Sequence, residues 1–405
     1  MKKIPLLLFL SIFSYLLASA QRTQALFDSS WKFFRGEMAG GEKQDFKDGD
    51  WRTLDLPHDW SIEDLPGQSD SVIGPFTTKS IGTTATGYTV GGTGWYRKHF
   101  KLTNINDKQV SICFDGIYMN ADVWINEHRL GNHPYGYTPF YYDITQWLKK
   151  NGEDNIIAVR VRNEGKNTRW YSGSGIYRHV WLTIANPVHI EQWGVYITTP
   201  KLSINSATIS VNTEIVRAGT IASPRLRTKI VDANNRTVAT NTLGNSSDKT
   251  ELTQDFQLLH PSLWSPGSPY LYEAVSDIII DNKIVDHVVT KFGIRSIEVS
   301  AEKGLLLNGK SIGLRGGCMH HDNGPLGSAT IDRAEERRAE LLKSFGFNAV
   351  RTSHNPPSQQ FLDACDRLGL LVIDEFTDIW EVGNNPDDYH LWFHDWWKRD
   401  LDVML

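Results

Sequence analysis

Cysteine is scarce in this sequence: Cys113, Cys318 and Cys365 are the three present among 405 residues. An odd and sparse set excludes a fully paired disulfide framework. All three lie in apolar strand or helix contexts, so buried free thiols are expected, with a Cys318–Cys365 bridge left open. Long apolar runs are scarce too. Residues 6–17 form the longest, and it falls short of the ~20 residues that a bilayer crossing needs. Lys2 and Lys3 precede it and Ala18-Ser19-Ala20 follows it, so residues 1–20 read as a removable export signal. A periplasmic or secreted protein without a membrane span is expected. An excess of charge of one sign is also missing: 42 Lys and Arg stand against 47 Asp and Glu, a net charge of -5, and no basic stretch recurs. That argues against nucleic acid as a partner.

Aromatic residues, by contrast, are plentiful, with 14 Trp, 14 Tyr and 17 Phe. Aromatic faces stack on the C–H faces of sugar rings, which leans toward carbohydrate, although β-sandwich cores use aromatics as heavily. From residue 29 to about Pro187 the sequence alternates in the strand manner between turn signals, as in GWYRKHFKL, VSICFDGI, NIIAVRVRN and RHVWLTI. It needs no helix beyond short pieces such as residues 144–149. This predicts a jelly-roll β-sandwich over residues 21–187. Gly173-Ser174-Gly175 precedes a strand, not a helix that would cradle phosphate, and reads as a turn. Residues 82–94 form a glycine-rich loop, either a plain connection or a border of a site.

A second all-β block spans residues 188–299, with turns at Asn234-Asn235 and Asp281-Asn282. Its size suits an immunoglobulin-like sandwich, a spacer to which the sequence assigns no chemistry. The third block, residues 300–405, changes grammar. Short apolar runs at 312–315, 349–352 and 370–374 alternate with helical stretches at 332–345 and 359–368, and a last helix is expected over 392–405. The first helix is expected to bury Ala334, Leu341, Leu342 and Phe345; the second has Ser358 as its N-cap and Gly369 as its stop. Each apolar run ends in His, Asn, Arg, Asp or Glu, which is where parallel α/β folds place functional groups.

LRGGCMHHD, GFNAVRTSHNPPSQQFLDACDRLGLLVIDE and WWKRDL resemble the start of the catalytic barrel of family 2 glycoside hydrolases, the β-galactosidase and β-glucuronidase group. WYRKHF, FDGIYMNADVWINEHRLG, GYTPFYYDIT and SGSGIYRHVWL resemble that family's sugar-binding domain. The likeness covers nearly the whole chain. It implies the first three β/α units of an incomplete (β/α)8 TIM barrel and a retaining glycosidase acting on a β-linked oligosaccharide or glycoside. β-Galactosidase is the leading activity and β-glucuronidase or another exo-β-glycosidase the alternative. A non-catalytic carbohydrate-binding protein with a vestigial barrel is the reading from another class. Retaining enzymes need two carboxyl groups about 5 to 5.5 Å apart. The resemblance places both glutamates beyond Leu405, so no catalytic residue is assigned here and the chain is expected to be inactive by itself.

The same resemblance points to His320 and His354 as ligands of sugar hydroxyls, with Arg351 and Asn355 flanking the second and Asp374, Glu375 and Asp378 at the end of the third strand. Arg351 with Glu375 reads equally well as an ion pair. From the first sandwich, Arg169 and Trp170 are expected to reach the barrel mouth. Arg169 departs from better-known members, which carry an acidic residue near that place. Asp59, beside His58, is a further substrate-binding candidate whose alternative role is to hold a turn. FTDIWEVG lacks the Glu-x-His pair that binds magnesium in some β-galactosidases, so no metal is expected, and no cofactor. Oligomerisation is left open.

Overall fold

The computed structural model describes residues 21–68, 74–218, 224–244 and 250–405. The expected export signal lies outside them. The first sandwich packs a four-stranded sheet, in the order Thr23–Leu26, Val180–Ala185, Gln109–Phe114, Phe140–Asp143, against a six-stranded one. The longest pair in the second sheet is Gly92–Lys101 with Asp154–Asn163, antiparallel over all ten residues. Alternation along these strands turns Trp31, Phe33, Tyr96, Ile112, Phe114, Ile157 and Val159 into one buried core. Helical structure among the described residues of this block is limited to 3-10 turns such as Thr145–Trp147.

The second sandwich has a three-stranded sheet, Val188–Leu202, Ser206–Arg217 and Glu251–Leu259, facing a four-stranded one. Tyr272–Ile280 and Lys283–Phe292 join through Asp281 and Asn282, both at positive φ (49° and 62°). That is the two-residue hairpin turn the Asp-Asn pair predicts, since both residue types tolerate the left-handed region.

In the third block three parallel strands pair in sequence order: Cys318–Met319, Ala349–Thr352 and Leu371–Asp374. The second and third lie at the expected places. The first does not. Residues 312–315 carry the apolar pattern, yet the ladder starts at Cys318, where Cys318 stands beside Arg351. The Asn348 side chain takes up part of this segment's backbone: its Oδ1 accepts from Arg315 N (2.7 Å) and its Nδ2 donates to Gly313 O (2.9 Å), while Arg315 O accepts from Asn348 N (2.9 Å) and Ala349 N (3.3 Å). Gly316 then passes so close that a Cβ would lie 2.4 Å from Ala349 O.

Helix α1 (Asp332–Ser344) also departs from expectation on its buried face. Leu341 and Phe345 are exposed, while Glu335 and Ala339 are buried. Glu335 can sit inside because it accepts from Asn323 Nδ2 (2.6 Å), Arg338 Nη1 (3.0 Å) and Ser358 Oγ (2.7 Å). Helix α2 (Gln359–Leu368) forms as read: Ser358 Oγ accepts from Phe361 N and Gly369 closes it at φ 80°. Helix α3 spans His390–Met404. Cys113, Cys318 and Cys365 are all free, so no Cys318–Cys365 bridge forms, and Cys318 is exposed, not buried. No helix among the described residues is long and apolar enough to cross a membrane.

The first sandwich is held to the third block by a buried carboxylate and by hydrogen bonds to backbone carbonyls. Asp400 of α3 accepts from Thr138 Oγ1 (2.9 Å), His133 Nε2 (3.0 Å) and the Tyr389 hydroxyl (2.5 Å). His321 Nε2 donates to Ser172 O (2.9 Å), and Arg178 Nη2 to Pro356 O (2.8 Å). From the second sandwich Trp264 Nε1 donates to Asp366 O (2.8 Å). The sandwiches therefore act as a frame for the barrel mouth.

Candidate functional site

The loop between Asp154–Asn163 and Val180–Ala185 carries Arg169 and Trp170 to the C-terminal ends of the barrel strands. Gly173 fixes its path at φ 71°, where a Cβ would fall 1.9 Å from Ser328 Oγ. Arg169 forms a two-pronged ion pair with Asp378, Nε to Oδ2 at 2.7 Å and Nη2 to Oδ1 at 2.5 Å. Asn384 Nδ2 adds a third donor to that carboxylate (2.9 Å). The bond from Arg169 holds the Asp378 carboxyl below the usual carboxylate range. Trp170 Nε1 donates to the Tyr137 hydroxyl (3.0 Å), which sets the indole against two imidazoles: its ring centroid is 5.3 Å from His354 and 5.5 Å from His320. The two imidazoles lie 5.7 Å apart, edge to face.

His354 is oriented from below. Its Nδ1 donates to Glu375 Oε2 (3.0 Å), and Glu375 also accepts from Arg351 Nε. With Nδ1–H committed, Nε2 is the nitrogen left to meet a ligand. Arg351 further touches the Cys318 thiol (3.3 Å). Burial lowers the pKa of His320, which favours the neutral ring. Trp170, His354 and Asp378 line a cavity of about 20 Å3, the size of a water molecule, with Tyr118, Tyr135 and Tyr137. One indole face, two imidazoles and a fixed carboxylate can together stack a pyranose ring and exchange hydrogen bonds with its hydroxyls.

Eight of the ten sequence candidates thus gather at the end of the parallel sheet, with Asp374 at the third strand's last position. Two do not belong to the surface a sugar could reach. Asp59 is 2% exposed, and its carboxylate accepts from Ser61 N, Ser174 N and Ser328 N (2.8 Å each), from Ser328 Oγ (2.9 Å) and from the Tyr171 hydroxyl. It holds the sandwich to the barrel. Asn355, also 2% exposed, turns inward, donating to Pro356 O (3.2 Å) and lining an interior cavity with Arg178, His321 and Glu335. Sequence reading missed Tyr137 and Asn384, which position Trp170 and Asp378. GYTPFYYDIT contained the first of these, but only as part of a hallmark. Among the described residues no group of three or more His, Cys, Asp and Glu side chains could hold a metal ion.

Asp374 sits beside the site with its Oδ1 accepting from Thr352 Oγ1 (3.1 Å), and burial raises its carboxyl pKa to about 6. An unfolded aspartate titrates near ~3.9. The folded state therefore binds the extra proton, and stability falls as pH rises from about 4 through about 6. Asp374→Asn is expected to relieve this, raising stability by about 2 kcal/mol at pH 8 after allowance for partial solvent screening and by nothing at pH 4. Melting curves of both chains across that range check it; a constant difference would reject it.

Sequence models of the family match end to end: "Glycosyl hydrolases family 2, sugar binding domain" over residues 28–186, "Glycosyl hydrolases family 2" over 188–295, and the family's "TIM barrel domain" over 297–386. The chain belongs to family 2 of the glycosyl hydrolases. Among its family 2 relatives, a β-galactosidase of Bacteroides ovatus is 40% identical over 390 residues, covering 95% of this chain and 44% of that protein. A β-glucuronidase of Formosa agariphila is 31% identical, covering 88% and 38%. The crystal structure of a family 2 member from Bacteroides cellulosilyticus superposes with a TM-score of 0.90 at 49% identity, covering 94% of this chain and 49% of that one. A Bacteroides uniformis β-glucuronidase gives 0.81 at 29% identity, with 95% and 45% covered. The chain spans a little under half the length of these relatives.

Proposed function

We propose that this chain forms the substrate-holding part of an exported retaining β-glycosidase, a β-galactosidase. The meeting of Trp170 from the sandwich with His354 and His320 from the barrel, at ring distances of 5.3 and 5.5 Å, carries the reading. Glu375 is engaged by Arg351 and His354 and Asp378 by Arg169, so neither is free to act as nucleophile or proton donor. The likeness to family 2 is what assigns the catalytic pair to residues outside this chain. β-Glucuronidase is the second reading, since relatives of both names share the fold. Both arginines at the mouth already have carboxylate partners. This part of the site thus offers no uncompensated cation to a uronate, which favours a neutral sugar.

The 405-residue chain is expected to turn over no aryl β-galactoside, because a retaining mechanism needs both carboxyl groups. An enzyme extended to the length of the relatives is expected to prefer aryl β-galactoside over aryl β-glucuronide by at least ~10-fold in kcat/KM. Turnover by the chain alone would overturn the assignment of the pair. The reverse preference would overturn the assignment of the sugar.

A further inference from the structure

The outer face of the second sandwich carries side chains that its core does not need. In the three-stranded sheet Ile209, Val211 and Ile215 point inward, so Ser210, Asn212 and Glu214 point out. Register sets Tyr196 beside Asn212 and Asn212 beside Thr253, with Glu214 opposite Glu251 in the next outward row. Tyr196 is 58% exposed. Above Glu214 the ladder is interrupted: residues 191–194 stand against Glu214 alone, between the pairs Ile190 with Ile215 and Val195 with Thr213.

This wide bulge lifts Trp193 to 46% exposure at φ 58°, a left-handed conformation that bulky L residues rarely adopt. Its ring meets Tyr141 edge on at 5.5 Å, and the Tyr141 hydroxyl donates to Glu191 (3.1 Å). Bulges re-aim side chains. Here the re-aimed residue is a half-exposed tryptophan, three residues before Tyr196 in the strand at the end of a sheet whose outer face also presents carboxylates and a hydroxyl.

Pyranose rings have apolar C–H faces that stack on aromatic rings, and hydroxyl rims that donate well to carboxylates. Glu191, Glu214 and Glu251 crowd one area, which repels an anionic polymer and suits a neutral one. We propose that this face is an ancillary binding surface for a neutral β-linked oligosaccharide, with Trp193 and Tyr196 as stacking platforms and Glu214, Glu251 and Thr253 meeting hydroxyls. None of these residues lines the barrel-mouth cavity, and the surface stands whether or not that cavity holds sugar.

Calorimetric titration of the full chain with β-1,4-galactotetraose, cellotetraose and β-1,4-mannotetraose tests it. At least one tetraose is expected to bind, with affinity at least tenfold weaker in Trp193→Ala and in Tyr196→Ala, melting temperatures unchanged, and affinity retained in His354→Phe. Tyr196 lies apart from the Tyr141 contact, so its variant answers the question even if Trp193→Ala unfolds. Three results would overturn the proposal: no tetraose binds; Tyr196→Ala binds like the parent chain; or binding is lost in His354→Phe and kept in Trp193→Ala and Tyr196→Ala.

Discussion

His354→Phe is expected to lower kcat/KM by ~2 to 4 kcal/mol in an enzyme that carries this chain, the range for losing a hydrogen bond made to a transition state. The imidazole stands at the end of the Ala349–Thr352 strand with Nδ1 anchored on Glu375, so Nε2 presents a lone pair of fixed direction to the ligand. A bond that tightens as the sugar ring flattens toward the oxocarbenium ion lowers the barrier more than it lowers the ground state. Phenylalanine keeps the ring packed against Trp170 and removes both nitrogens. Stability should change by no more than the ~1 kcal/mol of one partly exposed hydrogen bond. Steady-state kinetics together with a melting curve decide it. Unchanged kcat/KM with a sharply lowered melting temperature would make His354 a core residue.

The larger effect on stability is expected at Asp59. Asp59→Ala strips one carboxylate from five donors on both sides of the seam between the first sandwich and the barrel, three of them backbone N–H groups. Each buried donor left without a partner costs about 1 to 3 kcal/mol, and water can reach few of them because the site is closed. A loss of ~4 kcal/mol or more follows, which belongs to the rare severe class of single substitutions. Denaturant unfolding should show it as a drop in midpoint. A change under ~1 kcal/mol would mean that the seam relaxes to let water in.

The sequence made much of this site legible because polar residues at strand ends follow from the fold itself. His320, His354, Arg351, Glu375 and Asp378 are candidates by resemblance to the family, and each follows or ends an apolar run in the sequence. Helix α2 was readable to the residue, since Ser358 and Gly369 each act through local backbone geometry. What failed to show were effects that need a partner distant in sequence. Glu335 is buried because Asn323 and Ser358 receive it, which no periodicity can reveal. The segment before the first barrel strand is held by Asn348, some thirty residues downstream. Asp59 and Asn355 carry the residue types of a sugar site, and only their burial removes them from it.

Trp170 belongs to the sandwich by chain order and to the pocket by position. The loop that bears it is held to the barrel at both flanks, by Asp378 before it and by Asp59 and Ser328 after it. A recombination event that joined this barrel to a foreign sandwich would deliver a pocket open on one side. One that moved the sandwich alone would leave the indole on Tyr137 without its two imidazoles. The two segments therefore make one unit, in which a change in residues 164–178 reshapes the mouth while every barrel residue stays the same.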